Sequence, residues 1–164
     1  MPPRIFTTVD PAVLRLPNER IDGADPTKLQ QQIARHGRSL VGMPAILIYR
    51  GSDGEMMISD GVTRATHAAK LCPGGPVPVE LLGDLPTTFS HLPTVTEKEL
   101  FDALADLRQQ LPSMRFGQLV ANMATVARGA VGGAVWDVSD EELLAAVRWQ
   151  LEQLADCPPA EAVA

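Results

Sequence analysis

No apolar run in this 164-residue chain is long enough to span a bilayer, and its first ten residues, MPPRIFTTVD, lack the apolar core of a secretory signal. A cytoplasmic setting without a membrane partner is the resulting expectation. Cysteine is scarce: Cys72 and Cys157 lie far apart and outside any metal-type spacing, which excludes a disulfide framework. His36, His67 and His91 are dispersed along the chain, so no metal site is expected from them. Basic residues are also few. The 14 lysines and arginines stand against 20 acidic residues, the formal net charge is −6, and no basic cluster offers itself to a phosphate backbone, so DNA is not an expected partner. There is no internal repeat, and the small, proline-containing end CPPAEAVA is expected to fray.

What is present suits a globular chain. Hydrophobic residues make up 45% and charged residues 21% of a 17.6 kDa protein, enough to bury a core. Residues 4–9 (RIFTTV) and 13–16 (VLRL) alternate as short strands around Asp10-Pro11. Asp25 followed by Pro26 starts a helix that turns Leu29 and Ile33 inward and stops at Gly37, leaving Lys28, Gln31, Gln32 and Arg35 on a solvated face. Residues 45–49 (AILIY) fit a strand buried on both faces, and the RGSDG turn makes a hairpin of it and the following EMMISD. Val77, Val79 and Leu81 alternate along a further strand, which Pro78 places at an edge or a bulge.

The most informative stretch is EMMISDGVTRATHAAK, residues 55–70, in which a strand feeds a helix through a tight turn. Val62, Ala65, Ala68, Ala69 and Cys72 share the face expected to pack on a sheet, while Thr63, His67 and Lys70 share another. The free N–H groups and positive dipole end of a helix start favour an anion, Gly61 allows close approach, and the Arg64 fork can bind a phosphate. The bland alternative is an ordinary turn with a solvated arginine. For His67, which lies one turn beyond Thr63, two readings stay open: an aid to phosphate binding, or a partly exposed helix histidine. Ser59, Asp60 and His67 do not form a nucleophilic triad, because neighbouring strand residues point to opposite faces.

The run DGVTRATHAAK, with a strand before it and a proline-glycine turn and VPVELL after it, resembles the signature segment of the ParB/sulfiredoxin superfamily. The order RLPNERID, a helix ending in HG, then MPAILIYR is similar to that of ParB N-terminal domains, over roughly the first ninety residues. The resemblance implies an α+β fold with a mixed sheet, and a turn holding nucleotide phosphates through Gly61 and Arg64, with Thr63 between them. The sulfiredoxin cysteine would fall at Val62, so sulfinic-acid reduction is not expected. Thr63 and Thr66 replace further arginines of segregation ParB proteins, and no DNA-reading helix-turn-helix follows. A nucleoside triphosphate with Mg²⁺ is the implied cofactor. A phosphotransferase or hydrolase would also need a carboxylate, for which Asp60 and Glu19 are the candidates; an Asp before a Gly turn is also a common turn former.

This α+β domain is expected over residues 1–85. The stretch 83–93 (GDLPTTFSHLP) reads as a boundary, and a helical region follows over 94–156. There, Thr96 with Glu99 makes a capping box before the stripe Leu100, Leu104, Leu107 and Leu111. A second helix starts near Met114 and buries Phe116, Val120, Met123 and Ala127, and AVGGAV is a flexible link. A third begins at Ser139 with Glu142 and carries Leu144, Val147, Leu151 and Leu154. Such helices suit a protein partner or a homodimer. The competing function is therefore a non-catalytic interaction module, an adaptor or immunity-like partner, with a nuclease or DNA-binding protein a weaker third.

Overall fold

The computed structural model describes residues 3–156 and shows an α+β arrangement: a four-strand mixed sheet with helices in the N-terminal half, then a helical region. Cys157 and the tail expected to fray lie outside the described residues. The chain divides into two compact units between Lys98 and Glu99. No helix among the described residues is long and apolar enough to cross a membrane.

In the first unit, β1 (Ile5–Val9), β2 (Ile46–Arg50), β3 (Met56–Asp60) and β4 (Val77–Asp84) are ordered β1-β4-β2-β3. β1 is antiparallel to β4, β2 and β3 form the antiparallel hairpin, and β2 runs parallel to β4. One sheet face carries Ile46, Ile48, Ile58, Val77 and Val79. Leu14, Leu16, Val95 and the small side of α2 (Val62–Leu71), with Val62, Ala65 and Ala68, join them in the core. The helix α1 (Pro26–His36) is capped as its sequence dictates: the Asp25 carboxylate accepts from Lys28 N at 2.9 Å, Pro26 opens it and Gly37 closes it at φ +56°.

Several expectations need correcting. Residues 13–16 are not a strand. Asp10 caps a 3₁₀ turn at Pro11–Val13, and Arg15 makes only isolated bridges to Met57 and Thr94. β4 is an interior strand, not an edge; Pro78 is tolerated because it precedes Val79, the first β4 residue paired with β2, and the register shift lies further on, opposite Ile48 and Tyr49. β2 buries only Ile46 and Ile48 fully, because a single sheet face receives the core. The segment 85–94 is fastened to this unit: Phe89 and Leu92 are buried, and the Asp53 carboxylate accepts from the Phe89 and Ser90 amides at 2.8 and 2.9 Å.

The second unit holds most of α3 (Val95–Gln110), with α4 (Phe116–Arg128), α5 (Ala134–Asp137) and α6 (Asp140–Asp156). Leu100, Leu104, Leu107, Leu119, Met123, Leu143, Leu144 and Val147 form its core. The capping box of α3 is Thr94 with Glu97, two residues before the expected pair, because Val95 N donates to Leu14 O and sets the helix start there. In α4, Leu119 is buried while Phe116 is 54% exposed, so the apolar stripe is rotated from the expected one. The GGAV stretch winds into α5. Ser139 and Glu142 cap α6 reciprocally, as expected.

Candidate functional site

The turn from β3 into α2 needs glycine. Gly61 stands at φ +108°, ψ 24°, where other residues are strained, and as the N-cap it offers no side chain to the N–H groups of the first helical turn. Those donors therefore receive no side-chain cap at the start of α2.

Arg64 is engaged within the protein. Its guanidinium folds back over the turn, with Nη1 donating to the Pro44 and Ala45 carbonyls at 2.9 and 2.8 Å and Nη2 to Asp60 Oδ2 at 2.7 Å. The side chain is 17% exposed while that of Asp60 is 71% exposed. Arg64 is thus a clamp that holds the approach to β2 against the start of α2, and its charge is partly met by Asp60.

His67 is not on a free face. It is fully buried, its Nε2 lies 2.6 Å from the Gly37 carbonyl, and its Nδ1 is enclosed without a partner. A carbonyl only accepts, so Nε2 carries the proton. His67 therefore ties α2 to the end of α1, with the His36 ring 6.5 Å away, and is removed from any ligand.

A cleft of about 510 Å³ opens at this helix start, of a size suited to a small ligand. Ser59, Asp60, Gly61, Val62, Thr63 and Arg64 form one wall, and Lys28, Gln31, Gln32, Arg35 and His36 of α1 form another, with Arg20 and Pro44 beside them. Four permanent cations, Arg20, Lys28, Arg35 and Arg64, face a single carboxylate, Asp60. Among the described residues no ion pair engages Arg20, Lys28 or Arg35. In a chain of net charge −6 this is a local reversal of sign.

Of the six residues named from sequence, Asp60, Gly61, Thr63 and Arg64 line the cleft and Glu19 and His67 do not. Glu19 sits on an exposed 3₁₀ turn at Asn18–Arg20, and it is its neighbour Arg20 that reaches the lining. The residues missed were Arg20, Lys28 and Arg35. A signal for two of them existed: Lys28, Gln31, Gln32 and Arg35 recur at helical spacing on one side of α1. Chemically, the arrangement can hold an anion by backbone N–H groups and cations. Among the described residues no group of three or more His, Cys, Asp or Glu could hold a metal, and Asp60 is the one carboxylate in the cleft lining.

No family model, no curated protein and no solved structure matches the chain.

Proposed function

We propose that the protein binds a phosphate-bearing small molecule, a nucleoside triphosphate in the form that the resemblance to the ParB/sulfiredoxin superfamily implies. The observation that carries this reading is the cationic cleft at the side-chain-free cap of α2. Its strand, glycine turn and helix, with the hairpin before and β4 after, support the same resemblance. The phosphates contact the first-turn amides of α2, the Thr63 hydroxyl and the Lys28, Arg35 and Arg20 side chains, while Arg64 keeps the turn in shape. If Mg²⁺ accompanies the nucleotide, Asp60 is the carboxylate that meets it or its waters; turnover, as phosphoryl transfer or hydrolysis, rests on the same residue.

The test is thermal unfolding with each nucleoside triphosphate, with and without Mg²⁺, because a ligand selective for the folded state raises its Tm. A shift with one nucleotide is expected in the wild type. Lys28→Gln and Arg35→Gln should each weaken binding about fivefold to tenfold, the loss of one charge-assisted hydrogen bond at an open site. Absence of any shift in folded protein rejects the reading. It would favour the interaction module, for which the exposed Trp136, Phe101 and Phe116 of the second unit speak.

A further inference from the structure

The sheet has two edges, and they are treated differently. At the β3 edge the Arg15 backbone covers the middle of the strand through an isolated bridge: Arg15 N donates to Met56 O at 2.8 Å and Ile58 N donates to Arg15 O at 2.9 Å. Beyond β1, among the described residues, nothing pairs. The strand Ile5–Val9 contains no proline, no lysine and no bulge, the usual devices that blunt an open edge. Ile5 and Phe6 are 52% and 59% exposed, so the strand shows apolar side chains on both faces beside its unused backbone groups.

We propose that this edge is an interface for a second copy of the chain, in which β1 pairs antiparallel with β1 about a two-fold axis at Thr7. The charges flanking the strand select that partner and register. β1 is preceded by Arg4 and followed by Asp10, and antiparallel pairing centred on Thr7 sets Arg4 of each copy opposite Asp10 of the other. In the same register Ile5 meets Val9, Phe6 meets Thr8 and Thr7 meets Thr7, which are apolar and threonine pairs that stabilise antiparallel ladders. Moving the centre by one residue leaves Asp10 opposite Pro2 or Phe6, with no charge to meet. The Arg4 side chain is 71% exposed, and its contact with Glu80 is long at 3.5 Å, so it can turn toward the second copy. Such an interface is isologous and closes at two subunits. It joins two four-strand sheets into one of eight strands and uses none of the residues that line the cleft at α2, so it stands independently of the ligand assignment.

The experiment is sedimentation velocity of the full chain over a concentration series, with two strand variants. A mass rising toward twice the 17.6 kDa protomer is expected. Thr7→Lys, which sets like charges face to face on the axis, should return the chain to monomer with an unchanged far-UV spectrum, since Thr7 is exposed. In a Cys72→Ser, Cys157→Ser background, Thr7→Cys should form an intermolecular disulfide under mild oxidation, because directly opposed strand residues fall within disulfide reach. Thr8→Cys should not, since its counterpart would stand two residues away. A monomer at every concentration overturns the proposal, and so does a dimer that withstands Thr7→Lys and resists cross-linking through Thr7→Cys.

Discussion

Replacing Gly61 by alanine tests the logic of the turn more sharply than any other single change. An alanine there must adopt φ +108°, which costs about 1–2 kcal/mol for a residue with a Cβ. That Cβ would also stand 2.9 Å from Arg64 Nη2 and 3.1 Å from its Cζ and Nε. The guanidinium can move, being the end of a flexible side chain, but moving it breaks the bonds to Pro44 and Ala45. The exposed Asp60 partner adds little, so the loss lies in those carbonyl bonds, about 1.5–3 kcal/mol in total after partial rescue by water. Gly61→Ala should therefore cost roughly 2.5–5 kcal/mol. In an Arg64→Ala background the same change should cost only the backbone strain, about 1–2 kcal/mol. Native-state hydrogen exchange of the β2 amides reads the stability of the first unit. Both tryptophans, Trp136 and Trp149, lie in the second unit, so indole fluorescence serves as an internal control. A Gly61→Ala cost well under 1 kcal/mol would refute the strained turn, and an equal cost with and without Arg64 would refute the clash.

Acid should weaken the fold through a small set of carboxylates. Desolvation pushes Asp53 up, but the amides of Ser90, Phe89 and Glu55 outweigh it and hold it below its ordinary value; Asp84 is lowered by the hydrogen bond from Arg50, and Glu142 by the Ser139 amide and then Arg128. Since these folded values lie below the unfolded ones, their stabilisation is complete above the ordinary carboxylate range and disappears only as pH falls through and beneath it. Urea midpoints should thus be flat from neutrality to about pH 5 and fall below about pH 4, with a shallower fall in Asp53→Asn; a loss centred near neutrality would contradict this assignment. Asp60→Asn removes the one negative side chain of the cleft and should tighten Mg²⁺-free triphosphate binding about twofold to fivefold by calorimetry. Weaker binding without Mg²⁺ would show that the Asp60 charge helps to hold the ligand-binding form of the turn.

Local chemistry made much of the fold legible. Asp25-Pro26 with Gly37 bounds α1 because capping is decided within a few residues, and the same holds for Ser139 with Glu142 at α6. The hairpin was legible from its two-glycine turn. Errors arose where distant partners decide between equal local options. Thr94-Glu97 and Thr96-Glu99 both fit a capping box, and only the bond from Val95 N to Leu14 O selects the first. Phe116 and Leu119 both begin an apolar stripe in α4, and the core takes Leu119 although Phe116 is larger. Arg15 looked like a strand residue by alternation. It serves instead as a tie, with Nε 3.0 Å from Glu55 and Nη1 donating to the Leu92 carbonyl at 2.7 Å.

The sequence singled out four of the residues that line the cleft but not the partners that Arg64 takes, and the reason is electrostatic. Asp60 and Arg64 are four residues apart across a helix start, a spacing that makes an intramolecular ion pair as readily as it makes a phosphate fork. Once Arg64 Nη1 also meets two carbonyls, an incoming phosphate can claim that side chain only by breaking bonds already made. Among the described residues the cleft cations with no ion pair to break are Arg20, Lys28 and Arg35. The last two sit on the α1 face that periodicity assigns to solvent, since a solvated face and one wall of a polar cleft have the same composition. What separates the two is whether another element stands opposite, and here that element is the start of α2. His67 helps to set this spacing from inside, by bonding the carbonyl at the end of α1. On the proposed reading the glycine turn sets where an anion approaches, and α1, fixed more than twenty residues earlier in the chain, supplies two of the cations that face it.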